Sequence, residues 1–325
     1  MDQHRRTLLA TLAVTSASPS LWADEVVWPG KALYMVCPTG AAGPTDIRSR
    51  WLAPRLSQAL GQQVVVENRA GAGGNIGAEA VAHGAADGYR LLMAHQGLMT
   101  INPHLYPNLG FDPLSDFAPV TRVCTSTLVL TVHPSVPARS LGEFIALAKA
   151  RPGRMNFGSP GIGTPPHMAC ELLKHSAGIE ATHIPFTSGA ALATALIGGQ
   201  IDWTMDGMVA LLPHVSSGRL RALAVSSAES LASLPGTPTF AEAGLPGYEY
   251  TSWTGIVVPA ATPKAIVERL YAVISAILST ADAREWFAVG GGIPGGEAPE
   301  VFARLIRAEH AKWGPIIRAA GIKPA

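Results

Sequence analysis

The sequence predicts an α/β protein of two lobes, with central mixed or parallel sheets flanked by helices. Three observations point there. Apolar runs rich in β-branched residues alternate with helical segments, the pattern of βαβ units. The segments 33–46 and 155–167 share one design of apolar strand, glycine-bearing loop and helix start. Two connections rich in Pro and Gly, 102–119 and 234–250, read as crossings between lobes and so as a hinge. With 325 residues, 48% of them apolar, the chain is long enough for two packed domains.

Taken in order, the first 23 residues carry Arg5 and Arg6, an apolar run over 7–14 and small residues up to Ala23. This composition predicts an export signal cleaved near Ala23, although Leu21 is an unusual residue three before the cut. The arginine pair suits the twin-arginine route and the general secretory route alike. No later segment has the roughly 20 uninterrupted apolar residues of a membrane span. Strands are expected at 33–36, 64–66, 91–93, 128–132, 155–157, 220–225 and 255–258. Helices are expected at 47–60, 141–150, 168–176, 190–197, 263–278 and 299–307. Gly61 and Gly178 stand where two of these should end, and Thr262 should cap the one that opens with Pro263. The crossings divide the chain into a first lobe of 24–122 plus 251–325 and a second of 123–250.

The loop of 155–167 is built for an anion. Gly158, Gly161 and Gly163 let backbone approach a ligand, Thr164 can cap the helix, and Pro165 and Pro166 suit its first turn. Helix amides and dipole then face the ligand. The earlier loop, Pro38 to Gly43 followed by Pro44, Thr45 and Asp46, repeats the design, so two such loops suggest two clamps on one ligand. Asp46 can serve the ligand or simply meet the helix dipole. His167, in the first helical turn, can point to the ligand or pack against its loop. His95 and Gln96 follow a strand end, the binding edge of open α/β sheets. Asp206 ends the apolar stretch from Ile201, where it can accept a ligand hydrogen bond or tie the hinge.

Other chemistries are excluded or disfavoured. A net charge of +1, with no basic run beyond the N-terminus, gives no footprint for nucleic acid. Gly71-Ala-Gly-Gly-Asn-Ile-Gly77 has the wrong spacing and a polar preceding segment for a dinucleotide fingerprint, so it reads as a structural loop and no cofactor is expected. The histidines lack a metal-binding spacing, and no metal is expected. Ser159 lacks the first glycine of a hydrolase elbow and reads as a hydroxyl donor rather than a nucleophile. Cys37, Cys124 and Cys170 are too few and scattered for a disulfide framework and read as buried free thiols, with a functional thiol left open for Cys37 at its strand end.

The motifs, in order and spacing over nearly the whole mature chain, resemble the extracytoplasmic receptors of tripartite tricarboxylate transporters, often called Bug proteins. They include Pro44-Thr-Asp46, Val64-Val-Val-Glu-Asn-Arg69, Gly71 to Ala78, Asp87-Gly-Tyr89, Ile101-Asn-Pro103 and Asp116-Phe-Ala-Pro-Val120. Ser159-x-Gly-x-Gly-Thr-x-x-His167, His183-Ile-Pro185, Gly198-Gly-Gln200, Glu242-Ala-Gly-Leu-Pro-Gly247, Ser252-Trp253-x-Gly255 and Trp313 follow. The resemblance implies a two-lobed periplasmic binding-protein fold of type II-like organisation, a cleft between the lobes that closes over a small organic carboxylate, and a periplasmic location. Carried onto this chain, it places the ligand against Thr39, Ala42, Gly43, Thr45 and Asp46 in the first lobe and Ser159, Gly161, Gly163, Thr164 and His167 in the second, with Asp206 bordering the cleft. Ala94 and His95 stand where the family usually has Gly-Thr or Gly-Ser, and Thr39 replaces an aromatic residue. Thr187 and Ser188 replace residues that are often Lys or Arg and Gly, so a basic side chain for a distal carboxylate is missing there. The expected role is a monomeric receptor that hands its ligand to membrane transporter subunits. The alternatives are a sensor partner of a membrane signalling protein and, last, an exported enzyme.

Overall fold

The computed structural model describes residues 28–319 apart from Ala228 and Glu249, and the expected export signal at 1–23 lies outside the described residues. The first strand, β1 (Leu33–Cys37), leads through α1 (Pro44–Leu60) to β2 (Val64–Asn68), then through α2 (Asn75–Ala82) to β3 (Arg90–His95). A wide helical turn at Gly97–Ile101 and the short α3 (Asn102–Leu105) precede the long β4 (Phe117–Val132). Next come α4 (Leu141–Ala150), β5 (Asn156–Ser159), α5 (Pro165–Ala177), β6 (Thr182–Pro185), α6 (Gly189–Ile197), β7 (Trp203–Gly207), α7 (Met208–Ser216) and β8 (Arg221–Val225). The chain closes with β9 (Thr251–Pro259), α8 (Lys264–Leu278), α9 (Ala281–Val289), β10 (Gly292–Pro294) and α10 (Pro299–Ala319).

Both lobes are wound alike. β1 lies between β2 and β3 and is parallel to both, and β5 lies between β6 and β7 in the same way. The chain therefore steps to one side of its first strand and returns on the other. This places the loop after β1 and the loop after β5 at the switch points of their sheets, where open α/β sheets leave a crevice.

β4 and β9 join the two sheets and run antiparallel to their neighbours, so of the mixed or parallel sheets expected the fold has mixed ones. The 117–127 part of β4 pairs with β9, and its 128–132 part pairs with β7 and β8. The sequence predicts only the second part. Register shifts between Pro119 and Thr121 and between Arg122 and Cys124 explain why. Each bulge adds a residue to one strand, so the buried Val120 and Val123 fall three apart and the alternation of a half-buried strand is lost.

Helix ends follow the local chemistry in most places. Gly61 and Gly178 close α1 and α5 at φ 70° and 62°, the left-handed region glycine enters without a Cβ penalty. Thr262 does not cap α8; Pro263 takes the capping position, and the Thr262 hydroxyl is buried without a partner among the described residues. α10 runs well past the expected 307. Phe302 and Ile306 pack with Val36, Leu92 and Trp253, whereas Trp313 and Ile317, further along the same stripe, pack with Leu128, Leu130 and Tyr250. One helix thus lies across the cores of both halves. The second-lobe core is anchored by Trp203, whose ring centroid lies 5.0 Å from Phe157 and 5.3 Å from Phe144. Each such buried aromatic contributes roughly 1.5–3 kcal/mol of apolar burial.

Candidate ligand-binding site

The loops after β1 and β5 face each other across a cleft, which is closed at its base by the crossing strands. The cavity has an empty volume of about 510 Å³, counting its open mouth. Thr39, Gly43, Thr45 and Arg48 line it from the first lobe, with His95 from the end of β3. Thr164, Pro165, Asp206 and Gly207 line it from the second lobe. Ser126 opposes Ser252, and His95 opposes Thr254, in the strand ladders that form its floor. The cleft continues outward between Gly71–Gly74 and the stretch Pro160, Gly161 and Ile162.

The first loop is held from behind. Ala42 sits at φ 61°, a strained value for a residue with a Cβ. Its N–H donates to Asp46 Oδ2 at 3.0 Å, and the same carboxylate accepts Arg50 Nε at 3.0 Å and Asn68 Nδ2 at 2.8 Å. Burial pushes the Asp46 carboxyl up, but these hydrogen bonds outweigh it and hold the group below the usual carboxylate range. Asp46 and Ala42 thus shape the loop rather than line the cavity.

The second loop is built in the same manner. Ser159 Oγ donates to the Gly161 carbonyl at 3.0 Å and lies 2.7 Å from His183 Nε2, and the serine is fully buried. The Gly163 N–H donates to His167 Nδ1 at 3.2 Å. Burial, with the neighbouring His183 and Lys174, pushes His167 down to about 3; burial and Lys174 push His183 down to about 4. Both rings are neutral at pH 7 and act as packing and loop braces. Thr164 occupies the capping position of α5, but its hydroxyl donates to the Gly161 carbonyl at 2.6 Å instead of capping. Pro165 and Pro166 have no N–H, so the first helix amide open to a cap is that of His167, and the Thr164 hydroxyl makes no bond to it.

Of the positions expected to touch a ligand, the cavity thus gathers Thr39, Gly43, Thr45, His95, Thr164 and Asp206, with Gly161 on its outward extension. Ala42, Asp46, Ser159, Gly163 and His167 stand one layer behind. Gln96 turns the other way: its Nε2 donates to Glu309 at 2.7 Å, beside the Trp253 indole bond to the same carboxylate at 2.8 Å. The pair ties α10 to the crossing strand because both donors need an acceptor away from water.

Arg48 is the cavity residue that the sequence reading misses. It is 3% exposed, no carboxylate of the described residues lies within 4 Å of it, and its Nε has no hydrogen-bond partner among them. The signal was present in the spacing: Arg48 shares an i, i+4 stripe with Leu52, Leu56 and Leu60, all buried, so a cation interrupts an apolar face. Three more polar atoms on the cavity wall, His95 Nε2, Asp206 Oδ2 and Thr254 Oγ1, are buried and unpartnered among the described residues. His95 Nδ1 accepts the Leu98 N–H at 3.1 Å, which leaves the proton on Nε2 as a donor. Burial pushes its pKa down to about 4, opposed weakly by the nearby Gly73 carbonyl, which is out of hydrogen-bond geometry. Asp206 Oδ1 accepts the Gly207 N–H at 2.7 Å; burial pushes the carboxyl up to about 7, with Gly207 and Arg48 pulling it partly back.

The lobes touch closely around this cavity. A Cβ on Gly40 would lie 2.5 Å from the Thr187 carbonyl oxygen, and one on Gly189 2.8 Å from Gly43 Cα. The Tyr106 hydroxyl donates to the Ile162 carbonyl at 3.3 Å across the outer cleft.

The comparisons with known proteins fit this geometry. The sequence pattern of the tripartite tricarboxylate transporter family receptor (TctC) matches residues 49–322. Protein BugT of Bordetella pertussis is 34% identical over 319 residues, covering 97% of this chain and 98% of its own. Two solved structures superpose over most of the chain. Rpa4515 of R. palustris, with adipate, has a TM-score of 0.89 at 35% identity, covering 92% of this chain and all of its own. MatC (Rpa3494) from Rhodopseudomonas palustris, with bound malate, has a TM-score of 0.85 at 31% identity, covering 89% and 100%. With a two-lobed α/β fold, a cleft at both switch points and relatives matched end to end, this chain belongs to the tripartite tricarboxylate transporter receptor family, the TctC or Bug receptors.

Proposed function

We propose that this protein is a periplasmic receptor that encloses a small organic acid between its lobes, leaves it chemically unchanged, and delivers it as a monomer to the membrane subunits of a tripartite transporter. The observation that carries this reading is the set of buried, unpartnered polar atoms on the cavity wall: Arg48 Nε, His95 Nε2, Asp206 Oδ2 and Thr254 Oγ1. Buried polar groups are normally paired, because leaving one unpaired costs on the order of 1–3 kcal/mol, so an enclosed ligand is their natural partner. The helix starts at Pro44 and Pro165 add positive dipole ends that favour a carboxylate. Adipate and malate in the related structures support an acid as the ligand. The Ser159–His183 pair does not argue for an enzyme, since the serine is fully buried behind the cavity wall.

In this reading the lobes part where β4 changes partners, between Thr127 and Leu128, and near Tyr250 on the return, after export has removed the N-terminal signal. A thermal-shift screen of the mature protein against mono-, di- and tricarboxylates with neutral analogues tests it. A ligand at about 100 times its Kd adds roughly 2.7 kcal/mol of stability, so a cognate acid raises Tm by several degrees. Silence with every acid, or a response to neutral compounds alone, refutes the reading.

A further inference from the structure

We propose that Arg48 makes this receptor select dianionic over monoanionic acids, by pairing with a second anionic group of the ligand. This deepens, and rests on, the acid-receptor reading above. Arg48 projects from the fifth residue of α1 into the cavity, is buried, and has no carboxylate within 4 Å among the described residues. Its surroundings offset it only in part, through the Asp206 carboxyl, which feels the Arg48 charge across the wall. Asp206 shares the wall without forming an ion pair with it, and its carboxyl already keeps one oxygen on the Gly207 N–H. His95 and Thr254 supply a neutral ring and a hydroxyl.

The charge count decides between ligand classes. The start of α1, at Pro44, and the start of α5, at Pro165, each contribute about half a positive charge, and one carboxylate satisfies that pair. Arg48 adds a full positive charge elsewhere on the wall. A monoanion leaves either the helix ends or the guanidinium uncompensated in a water-poor cavity, whereas a dianion answers both. The basic group expected at Thr187 or Ser188 for a distal carboxylate is thus supplied from the opposite lobe, by α1.

The test compares adipate with its monomethyl ester, which keeps the shape and removes one charge, by calorimetry on the mature wild type and on Arg48→Met and Arg48→Lys. If adipate proves outside the ligand range, malate and its monomethyl ester take its place. Wild type is expected to favour the diacid over the ester by about 10- to 100-fold, the effect of one charge-assisted hydrogen-bonded pair. Arg48→Met should lose that preference while binding the ester within about threefold of wild type, and Arg48→Lys should keep part of it. The ligand-free Tm of Arg48→Met should hold or rise, because the substitution removes an unpaired buried charge. A diacid preference unchanged in Arg48→Met, an equal loss for both ligands, or a wild type that binds diacid and ester alike overturns the proposal and leaves the acid receptor standing. Binding of no acid by the wild type removes the receptor reading itself, and this inference with it.

Discussion

Asp46 and Asp206 are one residue type in two surroundings, and their carboxyls move in opposite directions. Asp46 has its hydrogen bonds supplied by Ala42, Arg50 and Asn68 and is held low. Asp206 has one oxygen unanswered and is pushed up to about 7. A raised folded-state pKa means that stability is fully present below the unfolded value, near 4, and is lost as pH rises through about 7. Titration curves of Tm for ligand-free wild type and Asp206→Asn should therefore diverge over that window, with the wild type falling relative to the variant as pH rises. Parallel curves would show that Asp206 is not buried in its charged form's disfavour. The groups facing Asp206 are Arg48 and Cys170, and burial raises the Cys170 thiol well above its ordinary value, so the divergence reports Asp206 itself. For Asp46 the sign reverses: its contribution is present above the usual carboxylate pKa and is lost as pH falls through its lowered value. Asp46 was legible as a helix-start carboxylate, whereas its three-donor role was not, because Asn68 arrives from β2, 22 residues along the chain.

At the scale of elements, the two loop-helix units do most of the positioning. Each uses a side chain from inside its helix to pull the preceding loop back: Asp46 takes the Ala42 N–H, and His167 takes the Gly163 N–H. Asp46→Ala removes an acceptor shared by three donors and frees a residue at positive φ. It should cost roughly 1–3 kcal/mol in urea unfolding and weaken ligand binding together with stability. A loss of affinity with unchanged stability would instead place Asp46 in direct contact with the ligand. The strand, loop and helix of both units are legible in the sequence because glycine and proline punctuate them so strongly. Less legible were the first part of β4, where bulges erase the alternation, and α7, where an apolar run with Pro213 carries no clear start signal.

For the molecule as a whole, the seam between the lobes is lined by glycines whose missing side chains let backbones meet. Gly40 and Gly189 are not in the left-handed region, so alanine is locally tolerable at both. An added Cβ strikes the opposite lobe, at the Thr187 carbonyl or at Gly43, a clash that the open cleft of the proposed receptor relieves. Gly40→Ala and Gly189→Ala are therefore expected to leave ligand-free stability nearly unchanged and to weaken ligand binding by about 10-fold or more. Small-angle scattering should show less compaction on ligand addition than in the wild type. Wild-type affinity in both variants would mean that the ligand is held without full closure. α10 packs against both cores, through Phe302 and Trp313.

The sequence by itself determined the class of the fold, the two glycine loops and the helices they open, because these depend on interactions between residues a few positions apart. It also carried the family pattern from end to end. Which of the singled-out residues line the cavity was decided only by tertiary structure. Ser159, His167 and Asp46 turn inward because partners from elsewhere in the chain satisfy them, and Gln96 turns away because Glu309 lies on the far side. Arg48 reaches the cavity because it is the N-terminal member of the buried stripe of α1, one turn before Leu52, which with Leu56 and Leu60 packs in the core of the first sheet. Periodicity shows that the residue is buried, but only the packing of one lobe against the other shows what it is buried against.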